Sequence, residues 1–177
     1  MVELAVLVYL LVFFFAYVGY LRGWTKELIA LAGIILSLFA LNEFDNLIRV
    51  TLFGDLPAAQ VFYIQTAIFI TIVFFAYQTR ALSDRAGRRA DNRDETQTRI
   101  LGGIVGGING YLVGGTIWYF MDISNYPLAP QVIAPRPGFP SAGMVDNLPL
   151  YMLTSGGNGT LLSLLVVILF VIVLVLI

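Results

Sequence analysis

The amino-acid sequence has no cysteine and no histidine, and only 12% of its 177 residues are charged. The lack of cysteine excludes disulfide bonds, thiolate metal sites and cysteine nucleophiles. The lack of histidine removes the most common general acid and base. The single lysine, Lys26, has no serine near it in the sequence, so a Ser-Lys nucleophile pair is not indicated. We therefore expect a chain that is not an enzyme, with no catalytic residues, no metal and no cofactor of its own.

Apolar residues dominate instead, since 59% of the chain is hydrophobic. A typical soluble domain is about 25% charged, roughly twice the share found here. A helix that crosses a bilayer needs about 20 mostly apolar residues, and about five segments meet or approach that length. The sequence thus predicts an all-α membrane protein that crosses the bilayer several times. The predicted helices cover residues 4–21, 24–42, 61–79, 100–121 and 160–177.

The distribution of basic residues predicts an orientation. Arg22 and Lys26 follow the first helix, and six arginines lie within 80–99, after the third. Positive residues gather in short cytoplasmic loops, and five full spans put eight of the ten basic residues on one side. We expect the amino terminus outside and the carboxyl terminus inside, with Tyr77 among the aromatic side chains at the cytoplasmic helix ends. If the second helix only dipped into the membrane, the two basic loops would face opposite sides.

The loops divide the chain into a four-helix membrane domain over 1–122, a proline-rich loop over 123–159 and a fifth helix over 160–177. Within 43–56, apolar residues recur at helical spacing, which predicts a short interfacial helix. The arginine-rich loop is read as a solvated connection or, less simply because acids are interleaved, as a site for anionic lipid. Six of the seven prolines lie within 123–150, which argues against helix or sheet there. Order in such a loop would suggest packing within a larger assembly.

The fourth helix carries a glycine stripe, Gly102, Gly106, Gly110 and Gly114, at intervals of four residues. Residues four apart share a helix face, and a face without side chains lets another helix approach closely in lipid. We read the stripe as a packing seam, and a pore lining remains the open alternative. The fifth helix has few small residues and is expected to be peripheral. The predicted partner surface of the stripe lies on the second helix and comprises Ala30, Gly33, Ser37 and Ala40.

Polar side chains inside the predicted spans are neutral. We expect them to form hydrogen bonds between helices, since ionisable residues such as Glu27 fall at predicted helix ends. A transport path along some of these groups is the alternative. The intramembrane polar residues are Gln65, Thr66, Thr71, Asn109 and Thr116.

The stretch Gly19-Tyr20-Leu21-Arg22-Gly23-Trp24-Thr25-Lys26-Glu27-Leu28, with Gly33 after it, resembles the colicin V production protein family of bacterial membrane proteins. Arg99-Ile100-Leu101-Gly102, followed by Gly106 and Gly110, is similar to the fourth helix of that family. The chain departs from the family pattern at Thr98, where an acid is common, and at Asn109, where an arginine is common. The resemblance covers about residues 3–122 and implies a multi-pass protein of the bacterial inner membrane that is required for toxin production.

The same turn has a physical interpretation that does not depend on the resemblance. Gly19 and Gly23 permit a tight hairpin, while Arg22 and Lys26 anchor it at the cytoplasmic face. Glu27 can pair with either cation or cap the second helix. We call this group the hairpin latch and predict a structural role for the pairing of Arg22 with Glu27.

Two functional hypotheses follow. The first is a structural or accessory subunit of a larger membrane complex, respiratory or photosynthetic, whose partners would be membrane lipids, other subunits and bound pigments or quinones, but not nucleic acid. The second is an export or transport component of the bacterial inner membrane, of the kind that the family resemblance implies, with a path beside Asn109, Gln65 and Thr116.

Overall fold

The computed structural model describes residues 3–45, 51–52, 54–78, 95–154 and 160–176, and no strand occurs among them. Four of its helices are long and apolar enough to cross a membrane. The predicted all-α membrane fold is therefore confirmed, while the side on which each terminus lies stays a prediction. The four helices are α1 (Leu4–Arg22), α2 (Trp24–Glu43), α3 (Ala58–Gln78) and α4 (Glu95–Ile123).

A single residue, Gly23, separates α1 from α2. Its φ of +82° lies in the region that favours glycine, and its N–H donates a hydrogen bond of 2.9 Å to the carbonyl oxygen of Gly19. The chain thus leaves α1 and enters α2 without a loop. Of the two glycines expected to form this turn, Gly23 supplies the backbone conformation, and Gly19 serves the contact with α4 described below.

With 29 residues, α4 is the longest helix. At 1.5 Å per residue it is about 44 Å long, well beyond the roughly 30 Å of a hydrocarbon layer. Its first turn carries an exposed ion pair of 2.6 Å between Glu95 and Arg99. Residues 46–50 and 53 of the predicted interfacial helix over 43–56 lie outside the described residues, and so do residues 79–94 of the arginine-rich loop.

The proline-rich loop contains short helices, which corrects the prediction that it has none. Helix α5 spans Pro140–Met144, a 3-10 turn covers Val145–Asn147, and α6 spans Pro149–Thr154. Both α-helices begin with a proline, whose fixed φ suits the first helical position and whose missing N–H is not needed there. Prolines in this loop therefore start helices instead of preventing them.

Contacts within the chain hold this loop against the ends of α1 and α4. The carboxylate of Asp122 accepts hydrogen bonds from the hydroxyl groups of Tyr126, at 2.9 Å, and Tyr151, at 2.8 Å. The hydroxyl of Ser141 donates to the Glu3 carboxylate at 3.0 Å. Contacts within the chain therefore suffice to hold the described part of the loop, and its order does not require a larger assembly.

The last helix, α7 (Thr160–Leu176), has 17 residues and falls short of the four long helices in its apolar length. It packs against α2 and α6. Leu162 and Leu169 are buried in these contacts, whereas Leu164 and Phe170 are exposed. The helix therefore covers one side of the bundle and presents an apolar outer face, as befits contact with lipid.

Candidate functional site

The glycine stripe of α4 packs against α1, and this contact brings the ends of α1 and α2 close to the middle of α4. A Cβ atom on Gly19 would lie 2.9 Å from the Cα of Gly106 and would overlap the carbonyl oxygen of Gly102. Only a residue without a side chain allows the two backbones to come this close. Along the seam, the α1 residues that the stripe contacts include Gly19, Phe15, Val12, Leu11 and Val8.

The prediction that α2 supplies the partner surface of the stripe is wrong. Gly33 faces Ala76 of α3 instead. Ala30 is fully buried, Ala40 is half-buried, and Ser37 donates a hydrogen bond of 2.7 Å to the carbonyl oxygen of Ile34 in its own helix. Gly33 therefore packs against α3, while the nearest neighbours of the stripe lie on α1. A stripe of glycines indicates a close approach but does not identify the neighbour.

Glu27 is the centre of the candidate site. Its side chain is completely buried, although the sequence places it at a helix end, and its Oε1 accepts a 2.6 Å hydrogen bond from Nη1 of Arg22. Glu27 lies in the first turn of α2, where the sequence predicts it, and its complete burial is what the sequence does not indicate. Lys26, the other cation of the hairpin, is half-buried and forms no ion pair with a described residue.

Two further side chains donate to the same carboxylate. The Tyr77 hydroxyl lies 3.0 Å from Oε2 of Glu27, and Nδ2 of Asn109 lies 2.9 Å from that oxygen and 3.2 Å from the Glu27 main-chain oxygen. Arg22 closes the arrangement, because its Nη2 donates to the Tyr77 carbonyl oxygen at 3.1 Å and its guanidinium lies 4.5 Å from the Tyr77 ring centroid. We call these four residues the buried polar network. It joins α1, α2, α3 and α4.

The network compensates the burial of a charge. An isolated carboxylate in a low-dielectric interior costs several kcal/mol, and the cost is offset only by good pairing and hydrogen bonds. Glu27 has both, with a guanidinium and two neutral donors within 3.0 Å. The Arg22 side chain keeps 25% of its surface exposed, so one end of the network reaches the surface of the bundle. The other end is incomplete, because Oδ1 of Asn109 is buried and lacks a hydrogen-bond partner in the described part of the chain.

The other polar residues predicted inside the spans have different surroundings. Thr116 is fully buried on α4, seven residues beyond Asn109 and so on the same face, and its Oγ1 has no partner among the described residues. Gln65 is also fully buried and donates a 3.1 Å hydrogen bond to Asp45. Thr71 is exposed and donates to the Ala67 carbonyl oxygen of its own helix, and no hydrogen bond joins it to another helix among the described residues. Polar groups thus occur at several depths of the bundle.

Sequence reasoning missed Tyr77 and Asp45 as hydrogen-bond partners. Tyr77 was assigned to the aromatic belt at the membrane surface, and the cation and the carboxylate that it meets lie 55 and 50 residues earlier in the chain. No local pattern indicates such pairs. Among the described residues, no group of three or more acidic side chains is arranged to hold a metal ion.

The fold and the network define a class of protein, namely a multi-pass helical membrane protein whose first four helices enclose an ion pair. Residues 4–135 match the family described as colicin V production protein. Because the match covers most of the chain, the protein belongs to this family, which confirms the resemblance predicted from the hairpin and the glycine stripe. No curated protein and no solved structure matches the chain.

Proposed function

We propose that this chain is a non-enzymatic export or transport component of the bacterial inner membrane and that the buried polar network is its working site. The family description ties the chain to the production of a secreted toxin, colicin V, and names no respiratory or photosynthetic complex. Four apolar helices long enough to span a bilayer are consistent with a role in moving material across a membrane.

The observation that carries the proposal is the burial of the Glu27 carboxylate at the junction of four helices. Burying an ionisable group is costly, and in membrane proteins ionisable groups turned toward the bundle interior commonly belong to transport or proton pathways. A helix bundle that only needs to pack has no need of such a group, since apolar side chains of similar volume are often as stabilising as a buried ion pair.

Two unpaired acceptors extend the site along α4. Asn109 and Thr116 are both 0% exposed, and each has a side-chain oxygen without a hydrogen-bond partner within the described residues. Polar atoms that are buried and unsatisfied are uncommon, and a functional role is one of the usual reasons for them. We infer that the two oxygens face the path of a transported species or of water in another conformation.

The conformation described here is closed, because Glu27, Asn109 and Thr116 have no exposed surface. Opening requires α2 to move relative to α4, and the hydrogen bonds from Asn109 to Glu27 must break for this to happen. Separation of Glu27 from Arg22 would weaken the same contacts. The network is therefore suited to act as a gate with two states.

The accessory-subunit hypothesis loses two of its grounds. The glycine stripe is occupied by α1 of the same chain and is not free to receive a partner helix. The proline-rich loop is held by contacts with its own helices, including those of Asp122 and Glu3. Neither feature now calls for a second protein.

A complementation experiment tests the proposal. The chain is expressed in a bacterium that needs a member of this family to produce colicin V and lacks its own, and the toxin is measured by growth inhibition of a sensitive lawn. Wild type should restore production. Tyr77→Phe and Glu27→Gln, which keep the side-chain volume, should reduce it strongly at equal amounts of protein in the membrane.

The exposed ion pair on α4 offers matched controls. Glu95→Gln and Arg99→Gln remove the same charges without touching the buried polar network, and both should restore production fully. The proposal is wrong if wild type does not restore production. It is equally wrong if the network variants lose toxin only in proportion to a loss of folded protein, since that result describes a purely structural latch.

A further inference from the structure

A cavity of about 400 Å³ lies where the proline-rich loop meets the beginning of α1. Pockets of this size are typical of small-molecule sites. It is separate from the buried polar network, which lies at the other end of α1. The residues that line it include Glu3, Leu4, Leu7, Ile133, Arg136 and Phe139.

The wall combines apolar side chains with two opposite charges. Glu3 is held in place by the Ser141 hydroxyl, which donates to Oε2 of Glu3 at 3.0 Å and accepts a hydrogen bond from the N–H of Ala5 at 3.3 Å. Arg136 lines the same cavity, and no ion pair between described residues joins it to Glu3. A carboxylate and a guanidinium in one cavity, not paired with each other, suit a ligand that carries both charges.

The position of the cavity favours a lipid over a soluble ligand. It lies at the end of an apolar helix that is long enough to span a bilayer, where headgroups meet hydrocarbon. Leu7 lines the cavity and is 43% exposed, and Leu10, one turn further on, is 60% exposed. The apolar wall of the cavity thus continues onto the outer face of α1, along which an acyl chain can lie.

We propose that this cavity binds a phospholipid whose headgroup carries a phosphate and a primary ammonium. Arg136 contacts the phosphate, for which a guanidinium is well suited because it offers several N–H donors in one plane. Glu3 accepts hydrogen bonds from the ammonium, which a quaternary ammonium cannot donate. Leu4 and Leu7 contact the first part of an acyl chain.

Native mass spectrometry of the full chain, reconstituted with equal amounts of phosphatidylethanolamine, phosphatidylcholine and phosphatidylglycerol, tests the proposal. Phosphatidylethanolamine should be retained several-fold more than either competitor. Glu3→Gln should abolish this preference, and Arg136→Gln should reduce the retention of all three lipids. Asp146→Asn, a change to an exposed acid on the same loop outside the cavity, should leave the preference intact.

A cavity-filling variant separates a bound lipid from a general effect of surface charge. Ala134→Phe places a large side chain in the wall of the cavity and keeps both charges, so it should lose the retained lipid while its helix content and melting temperature stay at the wild-type values. Equal retention of the three lipids by wild type, or normal retention by Ala134→Phe, would overturn the proposal. Displacement of the lipid by soluble glycerophosphoethanolamine at equal concentration would also contradict it, since the acyl chain would then contribute nothing.

Discussion

The side-chain amide of Asn109 donates hydrogen bonds to both the carboxylate and the main-chain oxygen of Glu27, at 2.9 Å and 3.2 Å. The two residues are 82 positions apart in the sequence, and their contact holds the first turn of α2 against α4. This amide therefore stabilises a buried charge and also fixes the position of α2 along α4.

Replacing Asn109 by leucine removes both hydrogen bonds and leaves the Glu27 carboxylate with one donor fewer. Hydrogen bonds to charged groups contribute about 1.5–3 kcal/mol, so we expect the free energy of unfolding to fall by about that amount. Asn109→Asp should be worse, because it brings a second carboxylate against the first. The free energies of unfolding of wild type and of both variants are compared in mixed detergent. As a control, Thr71→Val changes an exposed polar residue of α3 and should have almost no effect on stability. If Asn109→Leu is as stable as wild type, the hydrogen bonds from Asn109 to Glu27 do not stabilise the fold.

Two neighbouring glycines of α4 should respond differently to alanine. A Cβ on Gly106 would overlap the Phe15 carbonyl oxygen and lie 3.0 Å from the Cα of Gly19, whereas a Cβ on Gly107 would lie 3.6 Å from that of Ala16. We expect Gly106→Ala to destabilise the protein by about 1–3 kcal/mol, the usual cost of overpacking. Gly107→Ala should be neutral or slightly stabilising, because alanine favours helix. Thermal melting compares the two, and equal melting temperatures would show that the α1–α4 seam is not as tight as described.

Asp122 accepts hydrogen bonds from Tyr126 and Tyr151 of the proline-rich loop, and these contacts predict a loss of stability at high pH. Burial, together with the Asp122 carboxylate that accepts its hydrogen bond, raises the pKa of Tyr126 from 10.0 to about 12 despite a lowering contribution from the Trp118 hydrogen bond. The phenol therefore keeps its proton longer in the folded protein than in the unfolded chain. Its contribution to stability is complete below about pH 10 and is lost as the pH rises through about 12.

Melting temperatures measured across this range test the prediction. Wild type should lose stability between about pH 10 and about pH 12, and Tyr126→Phe should be less stable at neutral pH but show a smaller decline. Tyr151 donates to the same carboxylate, and burial raises its pKa as well, so part of the decline should remain in the single variant. Identical pH profiles for the two proteins would contradict the assignment.

The predicted orientation can be tested because the chain has no cysteine of its own. Asp146→Cys in the proline-rich loop should react with a membrane-impermeant maleimide in intact spheroplasts. Glu95→Cys at the start of α4 should react only after lysis, because the basic residues place that end in the cytoplasm. The opposite labelling pattern would reverse the topology without changing the fold.

Much of the fold could be predicted because it depends on local properties of the sequence. Long apolar runs determine where α1 to α4 lie, since lipid requires each backbone to form its own hydrogen bonds within a helix. The turn at Gly23 could be anticipated from the glycine itself. The short helices of the proline-rich loop were missed, because proline was treated as a helix breaker although Pro140 and Pro149 stand at first positions, where the residue is tolerated.

The candidate site was harder to predict because its contacts are distant in sequence. Arg22 and Glu27 flank one turn, so their proximity is visible locally, whereas Tyr77 and Asn109 reach Glu27 only through the packing of α3 and α4. Hydropathy places Glu27 in the first turn of a helix, and side chains of α1, α3 and α4 surround its carboxylate in the folded bundle. The sequence also could not reveal which helix fills the glycine stripe, because a smooth surface accepts many neighbours.

Water access to Thr116 distinguishes a transport path beside the buried polar network from a bundle that stays closed. Thr116→Cys introduces a thiol of similar size on α4, beyond the buried polar network, into a chain without other cysteines. In membranes of cells that produce colicin V with this variant, a small hydrophilic thiosulfonate should modify the cysteine, and the modification should stop toxin production. Phe13→Cys, on the exposed apolar face of α1, should stay unmodified. If Thr116→Cys supports toxin production yet never reacts, no path opens beside the network, and the transport proposal fails.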